Sequence, residues 1–373
     1  MSSDGRAMTE PADSTMRVLM TTDGVGGVWN YCVRLAQALQ AYRVEIALAT
    51  MGPALNESQR QEVGRLSNVQ LYESTFKLEW MRDPWPQVDQ AGDWLLDLAD
   101  ELRPDLIQQN GYVHATLPWA SPTLVVGHSS VCSWFEAVRK SEPTPQWNEY
   151  RRRVRLGLSR ADLVTAPTAA ALESLRKHHG PFRSAGPVRN GLDDGGDPLP
   201  RSDDVVFSAG RLWDPAKNIA ALDRAAKDIR LPVIAAGATE GPDGQRIDPQ
   251  IIRPIGLLDH ALLREWYHRA AVFVLPSLYE PFGLAALEAA HAGCPLVLSD
   301  IPSLREIWAD AAVFVQPEDS DALAREVNRL LSDESLLQRY GLLAQQRARA
   351  YTLARMAELY YRTYCRLIGR VSS

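Results

Sequence analysis

The amino-acid sequence predicts an α/β protein made of two domains, each built on a parallel β-sheet. Its 373 residues are too many for one ordinary hydrophobic core and suit two domains. In both halves, short apolar runs typical of buried strands alternate with helical segments, which is the pattern of a parallel sheet. Between the halves, residues 180–204 are rich in Gly, Pro, Asp and Asn, a composition that indicates a domain boundary.

The first half contains the earlier set of predicted strands. The first of them, "MRVLMTT", is followed by "DGVGGVWNYCVRLAQALQ", a glycine-rich turn that opens a helix with apolar residues at helical spacing. Further helical stretches separate the later strands, so the pattern is that of βαβ units. The predicted strands are residues 16–22, 44–50, 105–111, 123–128 and 162–168.

The second half repeats this alternation. Its predicted strands are residues 205–210, 232–237, 252–256, 271–277, 295–300 and 312–317. The last helix, about 321–366, is broken near "ARAYTLARM", and we expect its end to cross back onto the first half. We therefore assign 16–185 and 351–373 to the first domain and 186–350 to the second. Open α/β sheets bind ligands outside the carboxyl ends of their strands, so the cleft between the domains is the expected site.

Charge and cysteine content restrict the class of protein. A net charge of −6 argues against a general nucleic-acid binder. The four cysteines form no C-x-x-C pair and lie in apolar surroundings, which predicts buried free thiols in a reducing compartment. The polar first fifteen residues lack the apolar segment of a signal peptide, and no apolar run reaches the roughly 20 residues of a membrane span. We expect a cytoplasmic protein.

A carboxylate lies near each end of the apolar segment "LYEPFGLAALEAAHAGCPLV". Glu280 falls in the loop after a predicted strand, and Pro281 suits the first turn of a helix that we expect to run to about Ala292. The main-chain N–H groups of residues 282–284 would then form an anion site at the helix N-terminus, with Glu288 about two turns further on. A helix-start carboxylate and a solvent-facing one would explain the two glutamates separately. Their placement around an anion site favours a function.

The stretch "EPFGLAALEAAHAGCPLVLSD" resembles the donor-site signature of the retaining nucleotide-sugar glycosyltransferases of family 4. That family has the GT-B fold, in which two Rossmann-like domains face each other across a cleft. The resemblance implies that Glu280 contacts the hydroxyls of the donor sugar and that Glu288 binds the hydroxyls of the nucleotide ribose. It also implies that the main-chain N–H groups of Phe282, Gly283 and Leu284 hold the sugar and the phosphate.

A second stretch, "FSAGRLWDPAKNIAAL", places two cations just after a predicted strand. Arg211 and Lys217 lie in the loop and at the start of the next helix, where they could neutralise a leaving diphosphate. Taken singly, each could be an ordinary solvated surface charge. The same family resemblance implies that the pair holds the donor diphosphate, although Trp213 and Pro215 vary the loop. Leu257 is also assigned to the donor site.

The segment "DGVGGVWNY" has a glycine pattern that only partly matches a dinucleotide-binding fingerprint. Trp29 replaces the third glycine, and no acidic residue ends the following strand, so an NAD site is poorly supported. A glycine-rich turn can still let the backbone approach a phosphate or an acceptor. The family resemblance gives Gly26 and Gly27 this role, facing the donor across the cleft, whereas Gly24 is equally consistent with a plain tight turn.

Histidines and a polar turn give the remaining candidates. His128 ends the predicted strand 123–128, where the family often has a histidine that touches the donor sugar, so the resemblance makes it a catalytic candidate; a structural role is the alternative. The case for His114 is weaker. The segment "VRNGLD" (188–193) resembles the hinge-side N-G-x-D segment of the family and is equally consistent with a turn.

Two charged features have plainer explanations than a binding site. The run "RRRVR" (151–155) is typical of a solvated helix face, with peripheral contact to anionic lipid as the alternative. Asp319 and Asp321 spell the D-x-D of metal-dependent transferases, but they precede a helix, and an N-cap explains them better. No spacing of His, Cys or carboxylates indicates a metal site, and we expect no cofactor.

Together with the family resemblance, these features predict a metal-independent glycosyltransferase, and the resemblance implies that it is a retaining one. The donor would be a nucleoside-diphosphate sugar, with UDP as the commonest nucleotide for such enzymes, and the acceptor a hydroxyl of a saccharide, a lipid or a small molecule. The alternatives are a non-catalytic nucleotide-sugar binding protein and an NAD-dependent oxidoreductase.

Overall fold

The computed structural model describes residues 15–24, 26–193, 202, 204–241 and 244–369. A seven-stranded sheet forms the first half, and all of its neighbouring strands run parallel, in the order β3-β2-β1-β4-β5-β6-β7. Central strands are buried on both faces, as parallel strands covered by helices must be. The strands are β1 (Met16–Asp23), β2 (Val44–Met51), β3 (Val69–Glu73), β4 (Leu106–Gln109), β5 (Thr123–Val126), β6 (Leu163–Ala166) and β7 (Ala185–Pro187).

Helices cover both faces of this sheet. Short polar side chains start several of them by accepting main-chain N–H groups that have no partner within the helix. Asn56 caps α2 in a reciprocal capping box with Gln59, and Thr168 caps α6 by accepting from Ala171 N. The helices are α1 (Gly27–Leu39), α2 (Glu57–Gly64), α3 (Trp85–Leu102), α4 (Val131–Trp134), α5 (Asn148–Arg160) and α6 (Ala169–His179).

The second half forms a six-stranded parallel sheet in the order β10-β9-β8-β11-β12-β13. Its strands are β8 (Val205–Ala209), β9 (Val233–Ala236), β10 (Arg253–Pro254), β11 (Ala270–Leu275), β12 (Leu296–Ser299) and β13 (Val313–Val315). Its helices are α7 (Ile219–Ala226), α8 (His260–Arg269), α9 (Leu284–His291), α10 (Pro302–Trp308), α11 (Ser320–Leu331) and α12 (Glu334–Ala348).

All the predicted strands are present, and the prediction of an α/β fold with two Rossmann-like sheets is confirmed. The sequence prediction missed β3 and β7, which are edge strands with partly or fully exposed residues. Such strands carry no continuous apolar run, so periodicity does not reveal them. Because β7 runs to Pro187, the first sheet extends two residues beyond the boundary that the sequence suggested at 185/186.

The C-terminal region consists of three helices where the sequence predicted one broken helix over 321–366. Asp333 caps α12, and Thr352 caps the last helix, α13 (Leu353–Leu367), by accepting from Arg355 N. This last helix packs on α1 and buries Met356, Tyr360 and other apolar residues in the core of the first half. The expected crossing back to the first domain is confirmed, and only residues 370–373 of the assigned segment lie outside the described chain.

Two crossings of the chain between the halves lie side by side. Leu192 N donates to Tyr351 O at 3.0 Å, and Leu353 N donates to Leu192 O at 3.1 Å. Gly191 makes this approach possible, because a Cβ there would lie 2.1 Å from the carbonyl oxygen of Thr352. The segment 188–193 is therefore part of a packed junction. Residues 185–187 of the predicted linker form β7, and its residues 194–201 and 203 lie outside the described chain.

The two sheets face each other with the carboxyl ends of their strands. Trp134, after β5, donates from Nε1 to Asp214 Oδ1 at 3.3 Å, and Asp214 follows β8. Thr168, after β6, donates to the carbonyl oxygen of Pro281, which follows β11, at 3.0 Å. Glu306 of α10 accepts from the first main-chain N–H groups of α6. The loops that bind ligands in open α/β sheets therefore meet in one cleft.

The four cysteines are free and buried, as predicted. None of the helices in the described chain is both long enough and apolar enough to cross a membrane. The polar tail, residues 1–14, lies outside the described residues.

Candidate active site

The loop between β11 and α9 differs from the prediction at the start of the helix. Helix α9 begins at Leu284 and not at Pro281, so Glu288 lies about one turn into the helix. The cause is Gly283, whose φ of +91° is a left-handed conformation that interrupts a right-handed helix. Glu280 Oε1 accepts from Gly283 N at 3.1 Å, which anchors the carboxylate at this helix N-terminus. The helix ends at His291, next to the predicted Ala292.

Lys217 and Glu280 form an ion pair in the cleft. Their Nζ and Oε2 atoms lie 2.5 Å apart, and the side chains are only 17% and 12% exposed. The single turn Pro215–Lys217 brings them together, because Leu278 N donates to Ala216 O at 2.8 Å. The sequence placed both residues at strand ends without indicating that they pair.

Arg211 is held by a different acid. Its Nη2 lies 2.9 Å from Oδ2 of Asp214, whereas 53% of the Arg211 side chain remains exposed. Asp214 is itself buried, and it also accepts from Ala216 N and from Trp134 Nε1 of the first half. Arg211 is thus directed by a carboxylate that both halves of the molecule hold in place, while its remaining N–H groups stay accessible.

Glu288 connects the two halves. Its Oε2 accepts from the hydroxyl of Tyr267 at 2.9 Å, and its Oε1 lies 3.5 Å from Nη2 of Arg34 in α1. Burial, together with the Glu288 carboxylate, raises the pKa of Tyr267 well above its usual range, so this hydroxyl stays a donor. Sequence analysis missed Arg34. The available signal was its helical spacing from Gly27 and Tyr31, which puts the three on one face of α1.

The other donor-site candidates of the second half fall in three different environments. The Phe282 side chain is buried against Tyr351, with ring centroids 5.8 Å apart, so only its main chain is available. Leu284 lines a small cavity between the halves, together with Tyr31 and Arg34. Leu257 is 81% exposed in the loop that follows the edge strand β10.

The glycine-rich loop leaves open space in front of α1. Gly26 has a φ of +71°, and a Cβ on Gly26 or on Gly27 would meet no atom of the described chain within 4 Å. At Gly24 a Cβ would lie 3.1 Å from the carbonyl oxygen of Pro53, so this glycine has a packing role. Trp29 is buried and donates to Glu62 at 3.0 Å, which makes it part of the core.

His128 follows β5 at the cleft, and its ring is held on two sides. Its Nε2 lies 2.8 Å from Oδ1 of Asn110, and its ring meets Tyr31 edge-to-face with centroids 4.5 Å apart. Burial lowers the pKa of His128 to about 4, so the imidazole is neutral at pH 7. Asn110 was missed, although it follows the adjacent strand β4 just as His128 follows β5. His114, by contrast, is buried and bonds to Val88 O, which is a structural role.

The two charged runs make local contacts. Asp319 Oδ1 accepts from Ala322 N at 2.7 Å and so caps α11. On α5, Arg152 and Arg153 both pair with Glu149, and Arg153 also pairs with Asp89. Among the described residues, no group of three or more His, Cys, Asp and Glu is arranged to hold a metal ion.

Solved structures place this fold in a known class. The chain is similar to the sucrose-phosphate synthase of Thermosynechococcus elongatus, with a TM-score of 0.76 and 20% identity over 95% of this chain and 100% of the other. It is similar to HepE of Anabaena with a TM-score of 0.73 and 17% identity, over 93% of this chain and 99% of the other. At such low identity the likeness concerns the fold, and that fold is the GT-B architecture of glycosyltransferases.

Family models identify the family. The model of Glycosyltransferase Family 4 matches residues 25–195, and that of Glycosyl transferases group 1 matches residues 203–333. Between them they cover every strand of the two sheets except β1, and the chain belongs to this family of glycosyltransferases.

Among curated relatives, the chain is 48% identical to the glycogen synthase of Mycobacterium tuberculosis over 97 residues, which are 26% of this chain and 23% of that protein. It is 31% identical to the alpha-maltose-1-phosphate synthase of Mycolicibacterium smegmatis over 180 residues, 41% of this chain and 46% of that protein. The matched segments thus span less than half the length of these relatives.

Proposed function

We propose that this chain is a metal-independent, retaining glycosyltransferase that transfers a sugar from a nucleoside-diphosphate sugar to a hydroxyl group of an acceptor. The observation that carries the proposal is the pairing of Lys217 with Glu280 at the start of α9, with Arg211 held by Asp214 in the loop that leads to Lys217. A helix N-terminus favours anions, and two cations beside it suit a diphosphate. The ion pair with Glu280 keeps Lys217 neutralised until a donor arrives.

The electrostatics of the site match the chemistry of this reaction. When the bond between sugar and phosphate breaks, negative charge grows on the departing diphosphate. Groups already oriented toward that charge lower the barrier without reorganising during the step. Lys217 and Arg211 supply this charge, so no metal ion is required. Glu280 would hold hydroxyls of the sugar, Glu288 would hold the ribose, and the acceptor hydroxyl would attack from the side of the leaving group.

Relatives suggest where to look for substrates. The Anabaena HepE structure is described in complex with UDP and glucose, which supports UDP as the first nucleotide to test. The names of the curated relatives include glycogen synthase and D-inositol 3-phosphate glycosyltransferase, so the family serves different acceptors. We infer that the first half binds the acceptor, as a saccharide, a lipid-linked hydroxyl or a small molecule. The buried free cysteines support a cytoplasmic location, where thiols stay reduced.

The donor can be identified by thermal unfolding with UDP-, GDP-, ADP- and dTDP-sugars. At a hundred times its dissociation constant, the correct donor adds about 2.7 kcal/mol to the free energy of unfolding. Lys217→Ala is the matched control: its own unfolding without ligand is the baseline, since it loses the ion pair with Glu280, and the correct donor should shift it less than it shifts the wild type. NAD serves as the negative control. An increase in thermal stability with NAD and with none of the nucleotide sugars would contradict the proposal.

Activity distinguishes an enzyme from a binding protein. We expect slow release of the nucleoside diphosphate in water, faster release with the correct acceptor, and full activity in excess chelator. Binding without any release would indicate a non-catalytic nucleotide-sugar binding protein. Loss of activity in chelator with rescue by magnesium or manganese would contradict metal independence. Proton NMR of the product tests retention, through the anomeric configuration of the new bond.

A further inference from the structure

The bond between Asn110 and His128 has a direction that its surroundings determine. Asn110 Nδ2 lies 2.7 Å from the carbonyl oxygen of Thr21, and a carbonyl oxygen can only accept a hydrogen bond. The amide nitrogen of Asn110 must therefore face Thr21, and its carbonyl Oδ1 must face His128. The main-chain N–H of Asn110 also donates to Thr21 Oγ1 at 3.0 Å, which holds the residue in this orientation.

This orientation decides which nitrogen of His128 carries the proton. Because Asn110 Oδ1 accepts, Nε2 of His128 must donate across the 2.8 Å contact. A neutral imidazole has one N–H, so Nδ1 is left with a free lone pair. Nδ1 makes no hydrogen bond to any residue of the described chain. It is not fully enclosed by the protein either, so a ligand can reach it.

We infer that Asn110 holds His128 as the Nε2–H tautomer, so that Nδ1 accepts a hydrogen bond from a hydroxyl of the bound sugar. The sugar contact rests on the function proposed above, whereas the tautomer does not. Asn110 is a positioning residue, because it acts through His128. His128 becomes a specificity determinant that selects a group able to donate. A fluorine in place of that hydroxyl cannot donate a hydrogen bond to Nδ1. A phosphate oxygen would be repelled there, because it would face the lone pair of Nδ1.

The low pKa of His128 supports the same role. Burial keeps the ring neutral at pH 7, since its pKa is lowered to about 4. A neutral ring whose only proton is already shared with Asn110 has none to give to a substrate. The contact with Tyr31 holds the plane of the ring, so the lone pair has a defined direction.

The tautomer can be measured on the full chain without any substrate. Nitrogen-15 NMR of histidine-labelled protein, with His128→Gln used for assignment, should show Nε2 protonated and Nδ1 unprotonated between pH 6 and pH 8. Asn110→Ala removes the acceptor and should give a mixture of both tautomers. A proton on Nδ1 in the wild type, or an Asn110→Ala spectrum identical to that of the wild type, would overturn the inference.

The hydroxyl contact is tested by binding rather than by turnover, because fluorine also slows the chemistry. The probes are UDP-glucose and each of its monodeoxyfluoro analogues, with the same sugar series used on whichever nucleotide gives the largest thermal shift. One analogue should bind the wild type about tenfold more weakly than its parent, the loss of a single hydrogen bond.

Two substitutions at His128 distinguish the roles of its two ring nitrogens. In His128→Gln the amide reaches the place of Nε2 and leaves no acceptor at Nδ1, so the tenfold preference for the hydroxyl should disappear. In His128→Asn the amide oxygen lies near the place of Nδ1, and part of the preference should remain. An equal preference in the wild type and His128→Gln would overturn the sugar contact. Failure of every sugar nucleotide to bind would overturn the contact and the proposed function together, and the tautomer would still be decided by NMR.

Discussion

The two halves of this molecule share one strand order but carry different polar side chains at the strand ends that face each other. In the second half, the acids at the cleft are paired with cations, as Glu280 is with Lys217 and Asp214 is with Arg211. In the first half, the polar groups at the corresponding strand ends are largely neutral, and Asn110 and His128 bond to each other. The same backbone architecture thus presents charge on one side and directed neutral hydrogen bonds on the other.

This difference fits what each side would recognise under the proposed function. A leaving diphosphate gains charge during the reaction, and fixed cations stabilise it most where water is excluded. Sugar hydroxyls gain little charge, and neutral donors and acceptors with a defined direction recognise them without the desolvation cost of a buried ion. Under the proposed function, the comparison therefore predicts that loss of the paired cations in the second half lowers the rate, whereas substitutions in the first half affect stability and selectivity.

The largest effect should come from Lys217→Ala. Removing one preset charge-stabilising group typically costs roughly 3 kcal/mol, so kcat/KM should fall on the order of a hundredfold or more, mainly through kcat. Arg211→Ala should lose less, because Arg211 is 53% exposed and Lys217 only 17%. Steady-state kinetics on both variants and on the double variant measures this.

The double variant should lose less than the sum of the two single losses, since under the proposed function both cations act on one diphosphate. Lys217→Arg is the matched control, and it should not fully restore activity, because a planar fork does not replace a compact ammonium. Unchanged kcat in both alanine variants would contradict the proposed diphosphate site. It would also contradict the contrast drawn between the two halves.

Glu79 provides a second test, because this acid of the first half forms no ion pair with a cation of the described chain. Its carboxylate accepts from the main-chain N–H groups of Tyr112 and Val113, and burial raises its pKa to about 7. The folded state then holds the proton more tightly than the unfolded chain, so this group's contribution to stability is lost as pH rises from about 4.5 to about 7.

Glu79→Gln does not titrate and should remove this dependence. The difference in unfolding free energy between wild type and variant should change by up to about 3 kcal/mol across the same window, with the variant relatively more stable at high pH. Urea unfolding at several pH values measures it. A constant difference would show that burial does not raise the pKa of Glu79 in the folded protein.

Gly26→Ala should destabilise the protein by roughly 1–3 kcal/mol, because its φ of +71° strains any residue with a Cβ. Gly27→Ala is the control, since it has no such φ and begins a helix, where alanine is favoured. Both positions have open space in front of them, so crowding within the protein does not explain a difference. Equal unfolding free energies in the two variants would contradict a strained turn.

The smallest expected effect is that of Glu288→Ala on catalysis. A ribose contact exists in both the ground state and the transition state, so KM for the donor should rise about tenfold with kcat little changed. Arg34→Ala separates the ribose contact from the pairing of the two halves. If Arg34→Ala alone reproduces the whole effect, Glu288 serves to join the halves rather than to bind nucleotide.

Much of this fold was predictable because parallel strands are buried on both faces. Their continuous apolar runs identify them individually, whereas the exposed edges β3 and β7 carry no such run. The start of α9 was misplaced because proline is common in a first helical turn, yet the left-handed Gly283 overrode this preference. Local composition indicates where a helix is favoured to begin, and the conformation of the surrounding backbone determines where it does begin.

The alternation of strands and helices can be predicted from the sequence, and with it the polar residues that stand at strand ends. Their contacts depend on the folded structure, which brings together Arg34 and Glu288, Asn110 and His128, and Glu306 and the start of α6. The physical reason is that burial periodicity is a local property of the chain. A partner in a hydrogen bond or an ion pair depends instead on how two separately folded sheets dock and on the direction in which each side chain then points.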